Sequence, residues 1–191
     1  CDAATADAVP EGRVGAGTGA LVGKIGGLAD AMPGGVGTAA ARVDHWTVAA
    51  LAVVNALGDV RRDDATIIAG ARDSAGRFID ATRRLADIGH AGSFAELARR
   101  APPPATSTTL VVIATDAALN QTSLQMIARA GSTAMARCIT PVHTPFDGDV
   151  VFAVSTAEEQ QPWESGALLA LGEVATQCVV RAIQRAVSDS P

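Results

Sequence analysis

The stretch APPPATSTTLVVIATDAAL, residues 101–119, decides how the chain is read. Pro102, Pro103 and Pro104 lead to Ser107, Thr108 and Thr109, which run straight into an apolar β-type segment, residues 110–114. Strands usually start from a turn of Gly, Asn or Asp. Here a stiff loop delivers a hydroxyl to the first position of a strand that reads as buried. Such a position suits an N-terminal nucleophile. A cut between Ser107 and Thr108 gives Thr108 a free α-amine beside its own hydroxyl, and that amine can act as the hydroxyl's general base. Taken alone, the stretch equally fits a loop–strand junction with ordinary surface hydroxyls.

On its N-terminal side, residues 59–107 carry the densest charge, with RRDD at 61–64 and Arg99–Arg100 just before the prolines. A short strand over 66–71 and a helical turn or two over 94–100 are expected there, within a solvated excursion that would carry a cleavable bond. On its C-terminal side a helix is predicted up to about Cys138, opened by a capping box of Thr122 and Gln125, with Leu124, Ile127, Ala128 and Gly131 on one face. ITPVHTPFDGDVVFAVST, residues 139–156, follows. In it Asp147 and Asp149 flank Gly148 in a turn that opens a strand over 150–154. Carboxylates around a turn glycine are commonly solvated; folded over Thr108, they would orient its amine or hydroxyl and pair a lysine. A last helix, about 164–187, places Leu168, Leu171, Ala175, Cys178 and Ala182 on one face.

Further upstream, residues 10–41 are dense in glycine and hold Lys24, the single lysine among 15 cationic side chains. Gly15, Gly17 and Gly19 echo a dinucleotide fingerprint only superficially, since no strand precedes them and the spacing is wrong. A lone lysine among small residues fits either a solvated loop or a buried ammonium that requires a partner. HWTVAALAVVN, residues 45–55, reads as a buried strand ending in Asn55, whose amide suits a turn or an oxyanion donor.

The chain's 191 residues suffice for one domain with a sizeable core, and 48% hydrophobic content with 18% charge is globular rather than disordered. A net charge of −5 without basic clusters argues against nucleic acid as a partner. No uninterrupted run of about 18 apolar residues reads as a membrane span, so a cytoplasmic protein is expected. Cys1, Cys138 and Cys178 are too scattered for a disulfide framework or zinc site, and Cys138 and Cys178 are expected to be buried thiols. No metal and no cofactor is expected. Strands interspersed with helices give an α/β or α+β layered domain.

Taken in order, EGRVGAGTGALVGKIGG, LAVVNALGDV, STTLVVIATDAAL and HTPFDGDVVFAVST resemble the self-processing L-aminopeptidase/D-esterase family, which includes β-peptidyl aminopeptidases, nylon-oligomer hydrolases and pantetheine hydrolase. The resemblance runs from about Val9 to the end. It implies a four-layer αββα sandwich, similar to N-terminal nucleophile hydrolases and related to the ornithine acetyltransferase fold. It implies one catalytic domain cleaved into an α-chain part, 1–107, and a β-chain part, 108–191, usually in a homotetramer. It places the nucleophile on Thr108, eight positions before Asp116, and carries further site roles onto Lys24, Asn55 as oxyanion donor, Asp147 and Asp149. The implied activity is hydrolysis of short peptides or small amides through an acyl-enzyme on Thr108.

Three features depart from the family pattern. Ser107 stands where Asn or Gly commonly precedes the nucleophile. The family's N-terminal half is missing, so a second chain or an absent segment of the same precursor is expected, and this Tyr-free chain cannot supply the active-site tyrosine of some relatives. Cys1 is itself an alternative N-terminal nucleophile. Two other functions remain open at this level: acyl transfer on the same residues, and a non-catalytic binding or assembly subunit.

Overall fold

The computed structural model describes residues 5, 7–95, 99, 106–158 and 163–188. Cys1 and the proline loop of residues 102–104 lie outside the described residues, as does most of the helical turn expected over 94–100.

Alternation of apolar residues builds the central sheet. In strand β4 (Trp46–Asn55), Val48, Ala50, Ala52 and Val54 are buried while the residues between them are only partly covered. Strand β7 (Thr108–Thr115) repeats the pattern with Thr109, Val111, Ile113 and Thr115 inward. β4 pairs antiparallel with β3 (Gly35–Val43) on one side and with β7 on the other, and β9 (Val150–Ser155) joins β7 in parallel, giving the order β3–β4–β7–β9. Two short strands, β1 (Leu21–Val22) and β2 (Met32–Pro33), form a separate ribbon.

Helices α2 (Gln121–Cys138) and α3 (Ser165–Arg185) pack on each other and on the inner face of this sheet. The α2 N-cap is Asn120, whose Oδ1 accepts from Ser123 N at 3.0 Å, so the expected capping box of Thr122 and Gln125 lies inside the helix instead. α3 buries Leu168, Leu171, Ala175, Cys178 and Ala182, the face read from the sequence. Among the described residues α3 is the one helix long and apolar enough to cross a membrane. It lies against α2 and the sheet, as a core helix does. Cys138 and Cys178 are buried free thiols, and burial pushes the Cys138 thiol up to about 12.

The other sheet face is open. Leu110, Val112, Phe152 and Val154 project from it, Phe152 at 55% exposure. The apolar run at residues 110–114 is therefore not buried on both sides. The α+β character holds, and of the four layers expected the described residues show one helix layer on one face of the four-stranded sheet.

The charged excursion is more ordered than its composition suggests. It contains strands β5 (Asp59–Arg61) and β6 (Ile67–Ala69), which form a small sheet with β8 (Ile139–Thr140), and helix α1 (Ala81–Ala91). Asp59 anchors it: fully buried, it accepts from Ala71 N at 3.2 Å and Ala81 N at 2.7 Å, with Arg61 Nη2 3.5 Å away. Burial raises its pKa, opposed by those hydrogen bonds and Arg61. Asp59→Ala orphans two buried N–H groups, and should cost about 3 kcal/mol in denaturant unfolding. An unchanged midpoint would refute the anchor.

Candidate active site

The register between β4 and β7 sets Asn55 opposite Thr108 at one end of the sheet. Both residues share the open face, because Thr108 lies in phase with Leu110 and Val112. A cavity of about 230 Å³ opens there, lined by Ala16, Gly19, Val53, Asn55, Thr108 and Leu110.

Lys24 reaches this point from the glycine-rich segment. It begins a 3-10 turn, Lys24–Gly26, pinned to the loop after β4 by Lys24 N to Leu57 O and Gly23 N to Gly58 O, both 2.9 Å. Its side chain is 2% exposed, and Nζ donates to Asn55 O and Asn55 Oδ1 at 2.9 Å and to Thr106 O at 3.2 Å. Asn55 Oδ1 also accepts from Leu21 N at 3.1 Å, while Asn55 Nδ2 donates to Thr106 O at 3.1 Å. Of the two environments open to the lysine, the buried one is found. Burial brings the Lys24 pKa from 10.5 down to about 8, against the opposing pull of the Asp147 and Asp149 carboxylates.

The turn bearing those carboxylates folds onto the strand entrance. Ser107 bridges Asp147 in parallel fashion, and Gly148 N donates to Ser107 O at 2.7 Å. Thr108 Oγ1 donates to the same carbonyl oxygen at 2.7 Å. Gly148 is required by close approach: a Cβ there would lie 2.8 Å from Thr108 Oγ1. Asp149 Oδ1 accepts from Thr109 N at 2.7 Å and Oδ2 from His143 N at 3.0 Å; burial raises its pKa and these bonds oppose the rise. Asp147 Oδ1 accepts from Leu57 N at 3.3 Å, and Oδ2 from Thr144 N at 3.0 Å and Thr144 Oγ1 at 2.6 Å. The acids therefore brace backbone and act on Lys24 through space, whereas direct pairing was expected.

Other groups complete the geometry without having been assigned a site role from the sequence. His143, at φ 55°, sits with Nδ1 3.4 Å from Asp149 Oδ2 and Nε2 3.0 Å from Ser132 Oγ, tying the turn to α2. The Gly148 amide and the Thr106 carbonyl are main-chain groups. Asp116, the acid of ATDA, accepts from Thr47 N at 2.7 Å and closes the far end of the β4–β7 pair. No group of three or more His, Cys, Asp or Glu suited to a metal occurs among the described residues. A larger groove of about 780 Å³ lies between α2 and α3, on the helix layer rather than beside Thr108.

The sequence model of peptidase family S58 matches residues 1–190. The chain belongs to peptidase family S58. It is 39% identical over 199 residues to an uncharacterized aminopeptidase of Mycobacterium tuberculosis, covering 96% of this chain and 54% of that protein. It is 30% identical over 187 residues to a 6-aminohexanoate-oligomer endohydrolase of an Agromyces species, covering 93% of this chain and 50% of the other. The chain thus spans about half the length of the curated relatives it matches. Among solved structures, the L-aminopeptidase D-Ala-esterase/amidase of Ochrobactrum anthropi, described as a variant of the Ntn hydrolase fold, aligns with a TM-score of 0.59 at 22% identity. That alignment covers 93% of this chain and 44% of the other. A Burkholderia β-aminopeptidase aligns with a TM-score of 0.57 at 24% identity, covering 93% and 46%. These likenesses establish the fold.

Proposed function

We propose that this S58 chain is the catalytic part of a self-cleaving amide hydrolase with Thr108 as its nucleophile. The observation that carries this is the Ser107 carbonyl, which accepts from Thr108 Oγ1 on one side and Gly148 N on the other, both at 2.7 Å. The hydroxyl thus lies against the bond that it attacks, and a fixed dipole already points at the oxygen that gains charge.

In the cleavage step Thr108 Oγ1 bonds to the Ser107 carbonyl carbon while its proton leaves to a base. The Ser107–Thr108 C–N bond then breaks and the nitrogen takes a proton, leaving an ester on Oγ1 and a free α-amine. Water hydrolyses the ester to a Ser107 carboxylate and regenerates the hydroxyl. Lys24 is the base for the first transfer, since the Thr108 amine is not yet free; with a pKa of about 8, about one molecule in ten carries the neutral amine at pH 7. After the cut, the same hydroxyl attacks a substrate amide, helped by the α-amine, and water resolves the acyl-enzyme. Gly148 N is the oxyanion donor in this reading, and Asn55, first assigned that role, holds the carbonyl one residue earlier. Asp147 and Asp149 keep the turn and the start of β7 in register.

The open sheet face is read as the surface on which the remaining length of the protein packs, completing the four layers. Four large apolar side chains project from it, and the relatives are about twice as long.

Intact mass and N-terminal sequencing of the denatured protein test the proposal: two pieces are expected, one starting at Thr108. Followed from an uncut preparation, the cleavage rate should climb about tenfold per pH unit below about 8 and level off above it, as Lys24 loses its proton. A rate flat from pH 6 to 9 would remove Lys24 as base, and a protein never cut at Thr108 would remove the proposal.

A further inference from the structure

Two hydroxyls beside the nucleophile take no part in the steps above. Ser107 and Thr109, on either side of Thr108, are both fully buried, and neither Ser107 Oγ nor Thr109 Oγ1 has a hydrogen-bond partner among the described residues. Buried hydroxyls are nearly always paired, and one left unanswered lowers stability. Here two stand in a row. They share the inner face of the chain, because residues two apart in a strand point the same way, while Thr108 points to the open face. The main chain between them is fixed by Gly148 N on Ser107 O and by Asp149 Oδ1 on Thr109 N, both at 2.7 Å.

Residues two apart in a strand are separated by about 6.6 Å along the backbone. One water with two hydrogen bonds of about 2.8 Å each reaches across such a gap once the side chains lean together. Ser107 Oγ belongs to the residue whose carbonyl becomes the ester, so a water on that hydroxyl lies beside the carbon it must attack. We propose, resting on Thr108 as the nucleophile, that the Ser107 and Thr109 hydroxyls hold the water that hydrolyses the Ser107 ester. The water oxygen bonds to the Ser107 carbonyl carbon and gives a proton to the freed Thr108 amine. The bond from that carbon to Thr108 Oγ1 then breaks, and Oγ1 takes the proton back from the ammonium, leaving the Ser107 carboxyl. Each chain is cut once. One stored water therefore suffices, and a buried site with no path to solvent can supply it.

The test follows cutting of the full-length protein from an uncut preparation, as parent, Ser107→Ala and Thr109→Val, with and without hydroxylamine. That reagent attacks an ester directly and so replaces the water. Both changes remove a hydroxyl and little volume, so both variants should fold. Each variant should form two pieces at least about tenfold more slowly than the parent. Hydroxylamine should restore the rate, with the Ser107 end recovered as its hydroxamate, and should change the parent rate little. The parent rate in either variant without the reagent would overturn the water site. So would slow cutting that hydroxylamine does not restore, because the loss would then precede the ester; in both cases a fragment starting at Thr108 keeps the nucleophile assignment. A parent never cut at Thr108, in water or in hydroxylamine, would overturn both.

Discussion

Thr108→Ala should remain a single uncut chain and hydrolyse no amide, with turnover lower by about 10⁴-fold or more. The size of the effect follows from the hydroxyl serving twice, first on the Ser107 carbonyl and then on the substrate. Loss of fold would not explain such a result. Among the described residues Thr108 Oγ1 bonds only to the carbonyl of its own neighbour, and the strand pairing of β7 with β4 and β9 is made by backbone. The melting temperature of the variant should therefore stay within a few degrees of the parent. Thr108→Ser keeps an oxygen at the same place and should still cleave. Normal two-piece mass in the alanine variant would sink the assignment.

How far the sequence reveals this arrangement depends on which atoms carry it. β4 and the two long helices are legible because large apolar residues recur at the right period: Val48 and Val54 in the strand, Leu168 and Leu171 in the last helix. β3 is not, because GVGTAAARV is mostly glycine and alanine, with valine only at Val36 and Val43. The small residues have a packing reason: a Cβ at Gly37 would lie 2.0 Å from Ala182 O, so α3 lies directly on that strand. α1 is hidden by its arginines. Its stabilising contacts are the Asp80 cap, which accepts from Arg83 N, and the buried Asp59, neither of which has an apolar period. In the site, Thr108, Lys24, Asn55, Asp147 and Asp149 are side chains with distinctive chemistry, and the fold does bring them to one end of the sheet. The groups that decide the geometry around the Ser107 carbonyl are a backbone amide and a backbone carbonyl, and neither leaves a residue-type signal.

Gly148→Ala isolates that backbone geometry from everything else in the site. The glycine is exposed and its φ is not positive, so an alanine there is compatible with the local conformation. The side chain's only severe contact is with Thr108 Oγ1, at 2.8 Å; the next atoms, Ser107 O and Thr108 Cβ, are at 3.9 Å. Two responses are open. A shift of the turn by a few tenths of an ångström lengthens the Gly148 N to Ser107 O bond, and a turn of the threonine hydroxyl to another staggered position takes it off the Ser107 carbonyl. Either one disturbs the attack geometry, so the cleavage rate should fall about 100-fold. Stability should change by less than about 1 kcal/mol, because no buried contact is lost. Combining the change with Thr108→Ser tells the two responses apart. Serine lacks the β-methyl and reaches its rotamers more freely, so a hydroxyl displaced by rotation should be partly rescued in the double variant, while a displaced turn should not. Cleavage of Gly148→Ala at the parent rate would mean that the hydroxyl does not act from the position beside Gly148, and the oxyanion role of its amide would go with it.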